Sequence, residues 1–122
     1  MRLLHWFPAL IQAGLIFYLS NQTSPPGADL GPDYILHGCG YLILGAAVAW
    51  GMSSGLRNAL SRNQWLACWI LAVLYGALDE FHQSFIPGRD PSLSDLTADA
   101  VGAAVGVLLV LTASRMVRRL RS

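Results

Sequence analysis

Four blocks of apolar residues, each close to the length that crosses a lipid bilayer, constrain this chain more than any other feature. They run Leu4–Ser20, Tyr34–Met52, Gln64–Ile86 and Leu96–Ala113. A helix rises about 1.5 Å per residue, so a hydrocarbon layer about 30 Å thick takes about 20 residues. The connecting segments hold the breakers: Ser24-Pro25-Pro26-Gly27 and Gly31-Pro32, then Ser53-Ser54-Gly55, then Pro87-Gly88. Ser61 with Gln64, and Ser92 with Asp95, have the spacing of N-terminal capping boxes for the third and fourth helices. Pro8 marks a first turn or a kink in the first helix, and Pro32 sits where a first turn tolerates proline. The expected architecture is all-α: one domain over residues 1–122, a bundle of four transmembrane helices at about 4–20, 33–52, 64–86 and 94–114.

Composition supports a membrane chain and excludes other classes. The 122 residues are 54% hydrophobic and only 12% charged, whereas a soluble domain carries about 25% charge. So few polar groups do not cover a compact surface in water. A net charge of +1 removes the electrostatic basis for nucleic-acid binding. The first block is longer than the apolar region of a signal peptide, and Leu19-Ser20-Asn21-Gln22 offers no small-x-small cleavage site, so it reads as a span. Cys39 and Cys68 fall near opposite ends of their helices, roughly 15 Å apart along the bundle by the helical rise. That is beyond disulfide reach, so both are expected free.

Arginine placement gives an orientation. Arg2, Arg57, Arg62, Arg115, Arg118, Arg119 and Arg121 fall on the side shared by both termini and the second loop, and only Arg89 lies opposite. The positive-inside rule then makes the termini of this multi-pass chain cytoplasmic. The arginine tail serves as a topology anchor at anionic lipid. Trp6, Trp50, Trp65 and Trp69 gather toward the same ends and read as interfacial belt residues. Gly102-Ala103-Ala104-Val105-Gly106 is a GxxxG contact motif, expected to pack within the bundle rather than between copies.

All seven acids lie toward the outer face: Asp29, Asp33, Asp79, Glu80, Asp90, Asp95 and Asp99. On the helical rise, Asp79, Asp99 and His37 lie about 10, 7 and 6 Å below the outer helix ends. Ionisable groups at such depth cost at least about 2 kcal/mol unpaired and face a bundle interior or a wet cavity. Asp79, His82 and Gln83 follow i, i+3, i+4 spacing and share a face that Tyr75 continues one turn deeper. Asp33, His37 and Tyr41 form a matching stripe on the second helix, and Asp95 with Asp99 one on the fourth. Glu80, about 100° round from Asp79, is expected to reach the headgroups or Arg89.

The run Tyr75-Gly-Ala-Leu-Asp79-Glu80-Phe-His82-Gln83-Ser-Phe-Ile-Pro87-Gly-Arg89, followed by Ser94-Asp95-Leu-Thr-Ala-Asp99-Ala-Val-Gly102, resembles the signature of the VanZ-like family of small bacterial membrane proteins. Tyr18-Leu-Ser20 closing the first helix, and Asp33, His37 and Tyr41 opening the second, fit the same pattern. Two departures stand out. Tyr34 follows Asp33 where the family pattern has lysine, and Asp99 stands where it commonly has asparagine. Both make this chain more acidic and weaken any phosphate-binding role. The family is named for a protein linked to low-level teicoplanin resistance, so the resemblance implies a cell-envelope role and a multi-pass location in the bacterial inner membrane. A phosphotransbutyrylase label carried by some members does not suit four spans and an outward site.

The residues expected to bind ligand are Asp33, His37, Asp79, Glu80, His82, Gln83, Arg89, Asp95 and Asp99. Together they suggest an outward-facing acidic, histidine-containing pocket for a polar or cationic ligand, such as a lipid-linked wall precursor or a glycopeptide. One alternative is a membrane enzyme with Asp79 or Glu80 as general base and His82 as its partner. Its nucleophiles would be drawn from Ser84, Ser92 and Ser94. A small transporter or assembly factor is a further alternative, opposed by the lack of ionisable groups in the cytoplasmic half of the helices. The plainest reading is an internal staple, in which Arg89 and the histidines neutralise the acids and lock the bundle. Asp79, His82, His37 and Asp99 are metal-ligand types, but no tight motif such as His-x-x-x-His is present, so no metal or cofactor is assigned.

Overall fold

The computed structural model describes residues 2–122 and contains helices and connecting turns, with no strand among the described residues. A 3₁₀ turn over Arg2–Trp6 leads into α1 (Phe7–Ser20); α2 (Asp33–Met52), α3 (Arg62–Gln83) and α4 (Leu93–Arg121) follow. Pro8 sits in the first turn of α1, where its missing N–H costs nothing, and marks the change from 3₁₀ to α geometry. Ser61 forms the full capping box with Gln64 that its spacing predicts.

Two boundaries differ from the sequence reading. α3 stops at Gln83 rather than near 86, because Pro87 disfavours helical geometry at Ile86. The chain instead makes a type II turn, in which the Arg89 N–H donates to the Ile86 carbonyl at 3.1 Å and Gly88 takes a φ of 80°. α4 runs to Arg121 rather than 114, since nothing between Ala113 and Arg121 breaks a helix and arginine favours one.

α2 is the central helix and packs against the amino-terminal turn, α1, α3 and α4. Its contact with α4 is built from small residues. A Cβ on Gly102 would run into the Gly38 carbonyl, one on Gly106 into the Leu42 carbonyl, and one on Gly45 into the Ala103 carbonyl. The GxxxG motif therefore packs inside the bundle, as expected, and brings two backbones together in parallel. Gln12 ties α1 to the Gly40 carbonyl at 3.0 Å, and Tyr75 ties α3 to the Ala13 carbonyl at 2.6 Å.

Three of the four tryptophans also pack between helices. Trp69 donates to the Ala100 carbonyl at 2.9 Å, Trp6 lies over Gly51, and Trp6, Trp65 and Trp69 all pack against the core. These three join helices, with the Trp6 indole filling the hollow that Gly51 leaves, while Trp50 stays exposed. Cys39 is exposed and Cys68 buried, and both are free thiols.

Three helical stretches are long and apolar enough to cross a membrane: Arg2–Ser20, Asp33–Met52 and Leu93–Arg121. α3 is not among them, having Arg62, Asp79, Glu80, His82 and Gln83 within its 22 residues. Its exposed stripe of Ile70, Leu71, Leu74, Leu78 and Phe81 is nonetheless wholly apolar and continues into Phe85 beyond its end. Exposed apolar residues of this extent on every helix are suited to lipid contact, not to water.

Candidate functional site

The polar residues converge at one end of the bundle, where α1 and α3 finish and α2 and α4 begin. The α2–α4 contact sets the register: Gly38 follows His37 by one residue, and Gly102 follows Asp99 by three. Close backbone approach there lets His37 Nδ1 reach Asp99 Oδ1 at 2.9 Å. Gly76 opens the matching space on α3, since a Cβ at that position would stand 2.9 Å from Asp99 Oδ2.

Two groups of side chains result. In the first, Asp79 accepts hydrogen bonds from the Ser20 hydroxyl, from Tyr41 Oη at 3.2 Å and from Gln83 Nε2 at 3.4 Å. Gln83 also donates to Ser20 Oγ at 3.3 Å. These four buried residues come from α1, α2 and α3 and satisfy the carboxylate without a cation. In the second, His37 Nδ1 faces both Asp99 and, at 3.4 Å, Glu80 Oε1, while its Nε2 faces Asp33 Oδ2 at 3.7 Å. His37, Glu80 and Asp99 are all buried, and buried Asp95 lies near His37 and the exposed Asp33. The rings of His37 and Tyr41 lie parallel, 6.5 Å apart, between the two groups.

Of the nine residues expected to bind ligand, eight gather at this end and His82 does not join the cluster. It stacks on Phe17 of α1 with ring centroids 5.0 Å apart, and its Nδ1 is buried without a partner. The base–histidine pair proposed for a membrane enzyme is therefore not formed. The hydroxyls named as nucleophiles are engaged elsewhere: Ser84 donates to the Phe81 carbonyl at 2.5 Å, and Ser92 and Ser94 bond each other at 2.9 Å.

Glu80 is the second correction. Rather than reaching headgroups or Arg89, it turns inward and accepts the Ser92 N–H through Oε2 at 3.1 Å. This changes the cap of α4. Ser92 Oγ accepts from Asp95 N–H at 3.1 Å as its spacing predicts, but the reciprocal bond to the Ser92 N–H comes from α3. Asp95 is thereby left free to turn toward His37.

Arg89 is not spent on neutralising the buried acids. Its guanidinium donates to the carbonyls of Gln22 at 3.1 Å and Leu19 at 3.5 Å, at the carboxyl end of α1, and lies 3.9 Å from Asp33. A cation at a helix carboxyl end satisfies orphan carbonyls and the helix dipole. Ser20 and Tyr41 are the two participants absent from the expected set. Their signals were a lone hydroxyl closing the first apolar block and the i+4 continuation of Asp33 and His37.

Space surrounds these groups. A cavity of about 130 Å³ lies between α1, α2 and α3, with Ile16, Leu19 and Leu36 on its wall and Asp79, His37 and Gln83 among its polar lining. Beyond it is a wider polar mouth of about 420 Å³, bordered by Thr23, Asp33, Asp90, Ser92 and Asp95. Pro25, Asp33 and Arg89 line both and stand between them. The donor atoms of His37, Glu80 and Asp99 lie within 4.8 Å of one another, as do those of Asp33, His37 and Asp95.

Comparison with known proteins adds a family. The family model described as VanZ/LLP1 matches residues 4–114, nearly the whole chain. No curated protein and no solved structure matches it.

Proposed function

Because the chain belongs to the VanZ/LLP1 family, we propose that it is a four-span protein of the bacterial envelope that recognises the cationic head of an amphipathic ligand. α3 is the fourth span, with its apolar stripe to lipid and its polar face to the bundle. Both termini are cytoplasmic, which puts the arginine-rich end inside and the acidic end outside. The ligands of suitable chemistry are an amine-bearing lipid-linked wall precursor and a glycopeptide, and occupancy by either would link the site to antibiotic resistance.

The charge balance of the buried layer carries this reading. Asp79, Glu80, Asp95 and Asp99 are all buried, and the cations beside them are one imidazole and a guanidinium already committed to α1 carbonyls. Buried charge in a membrane protein is costly and usually serves function. A layer intended only to hold helices together would be satisfied internally, as Asp79 is. Glu80 Oε1 and Asp99 Oδ2 instead have no hydrogen-bond partner. The apolar walls of the cavity suit a lipid or alkyl portion, and the acidic mouth suits an ammonium group.

Thermal unfolding in nanodiscs tests this with each ligand and its N-acetylated counterpart. At a hundredfold excess over Kd, the amine forms should stabilise the protein by about 2–3 kcal/mol. The acetylated forms should have little effect. Equal shifts with both forms, or none with either, would overturn the reading.

A further inference from the structure

We propose that His37, Glu80 and Asp99 form a site for one divalent first-row transition cation of the zinc or manganese class. It shares Glu80 and Asp99 with the ligand reading above, and its test uses the metal alone, so that either can fail without the other. The donors are one imidazole nitrogen and two carboxylate oxygens, from α2, α3 and α4. Two ligands bound about 2.1 Å from one ion lie roughly 3.0–3.4 Å apart at angles between octahedral and tetrahedral. His37 Nδ1 lies 2.9 Å from Asp99 Oδ1 and 3.4 Å from Glu80 Oε1, so the spacing already suits one ion. An imidazole among carboxylates favours a transition cation over calcium or magnesium.

An independent observation indicates a missing partner. Glu80 is 8% exposed and Asp99 fully buried, yet Glu80 Oε1 has no hydrogen-bond partner and points at His37 Nδ1. Its other oxygen is held by the Ser92 N–H, which fixes the side chain toward the site. The surroundings supply what a metal site needs beyond its ligands. His37 Nε2 faces Asp33, the usual outer-shell arrangement for a ligating histidine, and the mouth bordered by Asp33, Asp90 and Asp95 gives an acidic entry path.

The test uses full-length protein stripped with chelator, then titrated with Co²⁺ or Zn²⁺. Wild type and His82→Ala should each bind one equivalent of Co²⁺, with visible absorption that Zn²⁺ displaces. Binding by Glu80→Gln and His37→Gln should weaken at least tenfold. Should those variants not fold, imidazole ¹⁵N spectra decide the matter in the foldable background. The chain has three histidines, and His5→Ala combined with His82→Ala leaves only His37, whose ring signal should move on adding Zn²⁺. Less than a tenth of an equivalent bound by wild type, or a His37 ring signal that zinc leaves in place, would overturn the proposal.

Discussion

Asp79 and Glu80 are adjacent in sequence, yet their carboxylates have opposite fates. Asp79 is surrounded by the donors Ser20, Tyr41 and Gln83, whereas Glu80 has one oxygen on a backbone N–H and the other facing His37. The difference is one of direction around α3. Buried Ala72, Gly76 and Gln83 mark the centre of the inward face, which falls between Asp79 and Glu80 and leaves His82 to one side. The i, i+3, i+4 pattern placed Asp79 and Gln83 correctly. It misplaced His82 and Glu80 because that face was centred on Asp79 instead of on the small residues that permit close packing. Since Asp79 relies on neutral donors, Tyr41→Phe should destabilise the protein by about 1 kcal/mol, read as a lowered unfolding midpoint. Removing the His82 ring should leave the cluster intact, so His82→Ala should bind ligand like wild type in the same nanodisc assay.

Helix spacing governs whether the cluster exists. The apolar blocks and capping residues made four helices legible, and the GxxxG spacing indicated a close contact on α4. Its partner was not legible, because Gly38, Leu42 and Gly45 of α2 show no complementary motif and only the folded register pairs them. The contact can be tested with two glycines. Gly106→Ala places a methyl against the Leu42 carbonyl and the Ala46 N–H. It should cost about 1–3 kcal/mol through overpacking, and should also weaken ligand binding by separating His37 from Asp99. Gly14 of α1 has nothing within 4 Å of a Cβ position, so Gly14→Ala should change stability by less than about 1 kcal/mol. Equal effects would mean that the α2–α4 contact does not set the site.

Across the whole molecule, charge divides by end. Every acid lies toward the end where α2 and α4 begin, and Arg115, Arg118 and Arg119 border a shallow pocket with Ala59 and Ser122 at the other. This segregation was readable from the sequence alone, as was the shared depth of His37 and Asp99, whereas Glu80 as their third partner was not, because its position around α3 pointed to the headgroups or Arg89. The proposed orientation predicts that Ala28→Cys, without Cys39 and Cys68, is labelled by an impermeant maleimide on intact cells. Ser122→Cys should be labelled only after permeabilisation, and the reverse pattern would invert the topology. Whether the buried acidic layer is a binding site or a staple is decided by the unfolding midpoint of Glu80→Gln in chelator. The amide still accepts the Ser92 N–H, and His37 keeps Asp99. A binding site requires a midpoint unchanged or raised by the equivalent of up to about 2 kcal/mol, together with loss of ligand stabilisation. A midpoint lowered by more than about 2 kcal/mol, with the ligand response intact, would contradict it.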